Sequence, residues 1–168
     1  MKNMENIKED STTKKFRLPP SIIMLIIAVI ALVIGIVVPP ILAKHENQHI
    51  DEDCKTASTI LEAVRDSTND ANIAQQITRA GWSSITWTVA DKKGVITCTN
   101  NIADLQNAVA KAVGDVPRKS KTLETAVWTV TIAPNADGNG YTVNGAWTGA
   151  IGADNNELTT KSGGTVAQ

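Results

Sequence analysis

The side chains best suited to chemistry stand together in one short run, His45-Glu46-Asn47-Gln48-His49. On a helix, two histidines four apart share a face and can both ligate zinc, while the glutamate between them can take a proton from a metal-bound water. The run uses both histidines of the chain, so a third ligand has to be a carboxylate, with Glu62, Asp66 and Asp70 as candidates. A polar, solvated piece of helix is the plainer reading of HENQHIDED. No second apolar helix offers a third ligand or a substrate edge. His45 and His49 are therefore carried as zinc candidates only. No catalytic residue and no cofactor is expected, so the chain is read as a non-enzyme.

Other groups carry less. Asn135-Ala136-Asp137-Gly138-Asn139-Gly140 has the oxygen ligands of a calcium loop but neither its twelve-residue spacing nor its closing glutamate, and a hairpin turn accounts for it. Trp82, Trp87, Trp128 and Trp147 could line a carbohydrate platform, although their places on strands favour core or sheet-face packing. Arg118, Lys119 and Lys121 form a basic loop that is expected to be solvated, with an acidic partner as the alternative. There is no Ser-His-Asp or Cys-His arrangement and no glycine-rich phosphate loop.

The elements that must position these groups follow from an uneven spread of apolar residues. The chain has 168 residues, 42% hydrophobic but only 4% aromatic, with 16 Lys+Arg against 17 Asp+Glu and a net charge of −1. That balance excludes a general nucleic-acid binder, which needs a basic excess, and a disordered chain, which needs a high net charge. Between Arg17 and Lys44 there is no charge at all, and Ile22–Val38 reads IIMLIIAVIALVIGIVV. Ile22 to Ala43 makes about 33 Å of helix, enough to cross a bilayer core. A cleaved secretory signal is the main competitor, but the run exceeds the usual apolar length of about 7–15 residues and no A-x-A site follows Ala43.

The flanks give the orientation. Residues 1–17 carry five basic residues (Lys2, Lys8, Lys14, Lys15 and Arg17), which places the N-terminus in the cytoplasm by the positive-inside rule. Residues 44–168, with 11 basic and 14 acidic residues, then lie outside. The expected organisation is a cytoplasmic basic segment at 1–17, a transmembrane helix at 18–43, an extracytoplasmic head at 44–148 and a flexible tail at 149–168. Cys54 and Cys98 both fall in the outer portion, where a disulfide can form and persist. Such a bridge closes a loop of about 45 residues and stabilises by roughly 3–4 kcal/mol. Two unpaired small core residues are the alternative.

Within the head, Ile50, Cys54, Ala57, Leu61 and Val64 recur at helical spacing and form one apolar stripe, with the charged residues elsewhere. Pro39-Pro40 is expected to kink or interrupt the helix before it. A second helix is expected from Asp70 to Ala80, stopped by Gly81. Ile85, Trp87 and Val89 then alternate with polar residues as a strand, and Asp91 to Gly94 turns into a hairpin partner at Val95–Thr99. Asn100 or Asn101 is expected to cap a helix with Ile102, Leu105, Val109 and Val113 on its apolar face. Two more strands follow, at Trp128-Val130-Ile132 and Tyr141-Val143-Trp147. The fold class is α+β: a long N-terminal helix, short helices and an antiparallel sheet of about four strands.

This layout resembles the type IV pilin and pseudopilin family, particularly the pilin-like proteins of Gram-positive bacteria. Lys14-Lys15-Phe16-Arg17-Leu18, the apolar run and Pro39 are similar to the basic leader, aromatic start and proline of a pilin N-terminus. Ala103 to Val109, Gly114 to Lys121 and Val127 to Ile132 are similar to the helix, loop and strand of a pilin head. Two positions depart from the pattern. Lys15 stands where a pilin has the glycine before its cleavage point, and Pro19, Pro20 or Ser21 stands where a pilin has a glutamate. The resemblance implies a structural subunit or accessory of a type IV pilus or secretion filament, with the bilayer, other pilin-like subunits and assembly proteins as partners. A non-assembling, membrane-anchored binding module is the runner-up, and a zincin-like hydrolase stands third.

Overall fold

The computed structural model of the protein describes residues 19–90, 93–114 and 116–166. The basic segment 1–17, with the leader-like Lys14 to Leu18, lies outside the described residues, as do Asp91 and Lys92 of the expected turn. The chain divides into two compact units at Ile41/Leu42.

The first helix, α1, spans Pro20–Ser67 with Pro39 and Pro40 inside it, so the expected interruption does not divide the helix. In the first unit the helix is apolar all round, and no residue of its span is buried. Every large aliphatic from Ile22 to Val38 is exposed, by 39% to 70%. A helix uncharged on all faces and covered by nothing has the length and composition of a membrane span.

In the second unit the same helix changes character. Cys54, Ala57, Ile60, Leu61 and Val64 are buried and belong to one core cluster with the sheet and the shorter helices. Helix α2 (Ala71–Ala80) is capped by Asp70, whose carboxylate accepts from the N–H groups of Asn72 and Ile73 at 2.8 and 3.3 Å. Gly81 ends it with φ +79°, a conformation in which a Cβ would be strained. Strands β1 (Ser83–Ala90), β2 (Lys93–Cys98), β3 (Val127–Pro134) and β4 (Tyr141–Thr148) form one antiparallel sheet in the order β2-β1-β3-β4. Helix α3 (Ala103–Val113) lies between β2 and β3 in the chain. The expected asparagine cap is not used. Asn100 and Asn101 take positive φ in a single tight turn, Asn100 Nδ2 donates to the Trp82 carbonyl instead, and Ile102 opens the helix with no side-chain cap. The α+β arrangement of a long apolar N-terminal helix, short helices and a four-stranded antiparallel sheet is consistent with a pilin-like fold.

Register decides what the sheet presents. Ile96, Trp87, Trp128 and Trp147 lie side by side across the four strands, in one row on one face. In the next row Gly145 stands opposite Val130, and it has to be glycine, since a Cβ there would sit 2.4 Å from the Trp128 ring. Trp87 and Trp128 are fully buried and Trp147 nearly so. This removes the carbohydrate-platform reading for three of the four tryptophans, while Trp82 is exposed.

The segment expected to be a flexible tail is a folded part of the head. Residues Asn155–Lys161 form helix α4, capped by Asp154, and Leu158, Thr159 and Ser162 are buried. Thr159 Oγ1 accepts from the Trp147 N–H at 2.9 Å, and Ser162 Oγ accepts from Trp147 Nε1 at 2.8 Å. Asn144 and Thr165 exchange two hydrogen bonds, and Gly164 lies so close to the Gly145 carbonyl that a Cβ would come within 2.1 Å of it. Residues 159–165 thus occupy the outer edge of β4. At the other edge Gln106 Nε2 donates to the Ile96 carbonyl of β2. Leu158 joins the core, and the polar Thr159 and Ser162 are buried as acceptors for the main-chain N–H and the indole Nε1 of Trp147.

Candidate functional site: a loop pinned to the helix by two carboxylates

Glu46 and Asp53, two turns apart on α1, both face the loop that precedes β3. Glu46 Oε1 accepts from Ser120 Oγ at 2.6 Å and from the Thr122 N–H at 2.8 Å. The Asp53 carboxylate, 1% exposed, accepts from the N–H groups of Lys119 (3.0 Å) and Ser120 (2.9 Å). These are charge-assisted bonds, the stronger class, and they lash residues 119–122 to the helix at two points. Burial pushes the Asp53 carboxyl above its usual value despite the bonds it accepts. For Glu46 burial acts in the same direction, but the donors from Ser120 and Thr122 and the neighbouring His49 outweigh it, and the carboxyl is held low.

The basic loop is not simply solvated. The Arg118 guanidinium lies over the rings of both Trp87 (4.5 Å) and Trp147 (4.7 Å). It donates to the carbonyls of Leu123 (2.6 Å) and Trp87 (2.5 Å), and also to that of Ala126. A guanidinium is suited to this place because it stacks flat on indole while its fork reaches several acceptors at once. Burial lowers its pKa to about 10, with Asp53 opposing the shift, so it stays charged at neutral pH. Lys119 behaves as expected of a surface residue, pairing with Glu52 at 3.0 Å.

The zinc pattern is taken apart by the same contacts. The His45 and His49 rings are 5.2 Å apart on one face of α1, as the spacing requires. Glu46, the residue that would serve as base, instead holds Ser120 and Thr122. Of the third-ligand candidates, Glu62 lies 13 residues beyond His49 on the same helix, about 20 Å along its axis, and Asp66 and Asp70 lie farther still. Among the described residues no group of three His, Cys, Asp or Glu side chains is placed to hold a metal.

The expected Cys54–Cys98 disulfide is also absent: both thiols are free and buried. Cys98 Sγ lies 3.2 Å from the Thr99 carbonyl and 3.4 Å from Ser83 Oγ, whereas Cys54 has Ser162 as its hydrogen-bonding neighbour. Both cysteines are unpaired members of the one core cluster, which is the alternative reading. Burial pushes the Cys54 thiol up. The asparagine-rich segment 135–140 is the turn between β3 and β4, with Asp137 Oδ1 accepting from the Asn139 N–H.

Sequence reasoning missed Asp53 and Arg118. Asp53 sits at the edge of the apolar stripe, one residue before Cys54, and an acid there was a detectable anomaly in an otherwise sorted helix. Nothing local marked Arg118, whose partners lie on β1, on β4 and in the turn before β3. Comparison with protein-family models, with curated proteins and with solved structures finds no match to this chain.

Proposed function

We propose that the protein is a single-pass membrane protein, with its N-terminus in the cytoplasm and a pilin-like head outside, that acts as a structural, non-enzymatic subunit or accessory of a type IV pilus or secretion filament. The observation that carries the reading is the change of regime along one helix. An uncharged, fully exposed stretch from Ile22 to Ala43 leads into a turn pattern in which one stripe enters the head's core and the other faces stay polar. This is the economy of an anchor that is also a structural element. The occupied carboxylate of Glu46 speaks against hydrolysis at the histidine pair.

A second reading, an anchored binding module that never assembles, is favoured by Lys15 before Phe16 and by prolines and serine at 19–21. A buried carboxylate that could offset a neighbour's free amine inside an apolar fibre is missing there. Intact-mass measurement of membrane-extracted protein separates the two readings. A mass reduced by residues 1–15 supports assembly, and an intact N-terminus supports the module. Alkaline carbonate extraction and external protease test what both share. Protein that stays with the membrane and loses its head to protease outside the cell is the expected result, and release by carbonate would sink both readings.

A further inference from the structure

We propose that Asn139 is a site of spontaneous, non-enzymatic deamidation, in which the main-chain nitrogen of Gly140 attacks the Asn139 carboxamide. The proposal concerns the head alone and stands apart from the anchored reading above.

Asparagine or aspartate precedes glycine at three places in the chain: Asp137-Gly138, Asn139-Gly140 and Asn144-Gly145. A following glycine puts no side chain beside the attacking nitrogen, so by sequence all three qualify. The structure separates them. At the first, the Gly138 N–H donates to the Asn135 carbonyl at 3.0 Å, and Asp137 Oδ1 accepts from the Asn139 N–H at 3.1 Å. Both reacting groups are already engaged. At the third, Asn144 sits within β4 and its carboxamide is clamped to Thr165. Its Oδ1 accepts from the Thr165 N–H at 2.8 Å, and its Nδ2 donates to the Thr165 carbonyl at 3.2 Å. Gly145 is buried as well. At the second, nothing holds the reacting groups. Asn139 and Gly140 are exposed, and among the described residues neither the Asn139 carboxamide nor the Gly140 N–H makes a hydrogen bond. The turn around them is closed by the Asn135 N–H, which donates to the Gly140 carbonyl at 2.9 Å. A free carboxamide beside a free nitrogen can sample the attacking geometry that the strand and the Thr165 clamp deny to Asn144.

The reaction needs only water. The Gly140 nitrogen bonds to Asn139 Cγ, the Cγ–Nδ2 bond breaks, and ammonia leaves with the proton from the attacking nitrogen. Water then opens the succinimide ring at either carbonyl, giving aspartate or isoaspartate. Either product adds a carboxylate to the turn that already carries Asp137.

The test incubates the detergent-solubilised full chain in warm, mildly alkaline buffer. Peptide mapping with electron-transfer fragmentation locates each converted residue and tells isoaspartate from aspartate. Asn139 should convert about tenfold faster than Asn144, with isoaspartate among its products. In urea, where the Thr165 clamp is lost, the two rates should come together. Asn139→Gln, whose longer side chain has to close a larger ring, should abolish conversion at 139 and leave the rate at Asn144 unchanged. A folded chain in which Asn139 does not convert, or converts no faster than Asn144, overturns the proposal. So does a gap between the two that persists in urea, which would trace the difference to sequence rather than to the fold. Aspartate at 139 without isoaspartate overturns it too, since that marks direct hydrolysis instead of attack by Gly140.

Discussion

Residues 22–43 and residues 50–64 are both helical and both rich in aliphatics, yet the physical problem each solves is different. In the first, side chains of one kind point in every direction and none is buried. In the second, five buried apolar residues share one side and the charges stand elsewhere, with Asp53 as the exception. Uniform hydrophobicity suits an apolar surrounding solvent, as in a candidate membrane span. A stripe suits a partner in the same chain, because only the covered face gains from leaving water. On the anchored reading one helix serves two solvents, and substitutions should separate them.

The largest expected effect is Leu61→Ala, which empties a fully packed place in the stripe. It should lower the stability of the head by about 2–5 kcal/mol in denaturant titration of the detergent-solubilised chain, and leave carbonate resistance unchanged. Removal of the cation stacked on the sheet's tryptophans comes next. Arg118→Ala leaves three carbonyls without their donor and two indoles without their stacked cation, and should cost about 3 kcal/mol in the same titration. Ile30→Lys should do the converse, weakening membrane insertion by about 3 kcal/mol while the head's unfolding midpoint stays put. A head destabilised by Ile30→Lys, or a membrane interaction weakened by Leu61→Ala, would break the comparison.

The smallest effect sharpens it through pH. Glu46 is held below its ordinary value, so the native state favours its charged form. That contribution is present above about pH 4.5 and is lost as pH falls below it. Asp53 is raised, so the native state takes up its proton before the unfolded chain does, and acid favours folding at this one group. Glu46→Gln should therefore flatten the fall in stability between pH 5 and 3, with a loss of about 1 kcal/mol at neutral pH. Asp53→Asn should make the fall steeper. Unfolding midpoints across that range check both signs.

Much of the fold could be read from periodicity alone. The stripe from Ile50 to Val64, the helix ended by Gly81 and the alternation at Ile85-Trp87-Val89 each announce an element by local pattern, and each element is there. What could not be read depends on partners distant in sequence. Asp53 meets Lys119 and Ser120 across more than 60 residues, so the acid beside the stripe is visible in the sequence but its distant donors are not. Arg118 shares a basic loop with Lys119 and Lys121, yet it alone lies over tryptophans. The C-terminal segment fails for a third reason. Hydrophobic periodicity detects faces that meet a core, whereas Thr159 and Ser162 hold Trp147, and Asn144 holds the Thr165 backbone, through hydrogen bonds that leave no apolar signature. The cysteine pair was legible as a possibility only, since spacing in sequence says nothing of separation in space.

The covered strand edges have a consequence for crowding. A chain confined to a surface meets its own copies at an effective concentration far above that of the same chain free in solution. Open strands on such copies would add to one another backbone to backbone, an association without register or limit. Gln106 on the Ile96 carbonyl of β2 and Thr159 on the Trp147 N–H of β4 each occupy one backbone group at an edge of the sheet. On the anchored reading, each such bond removes a point at which neighbouring heads could pair backbone to backbone.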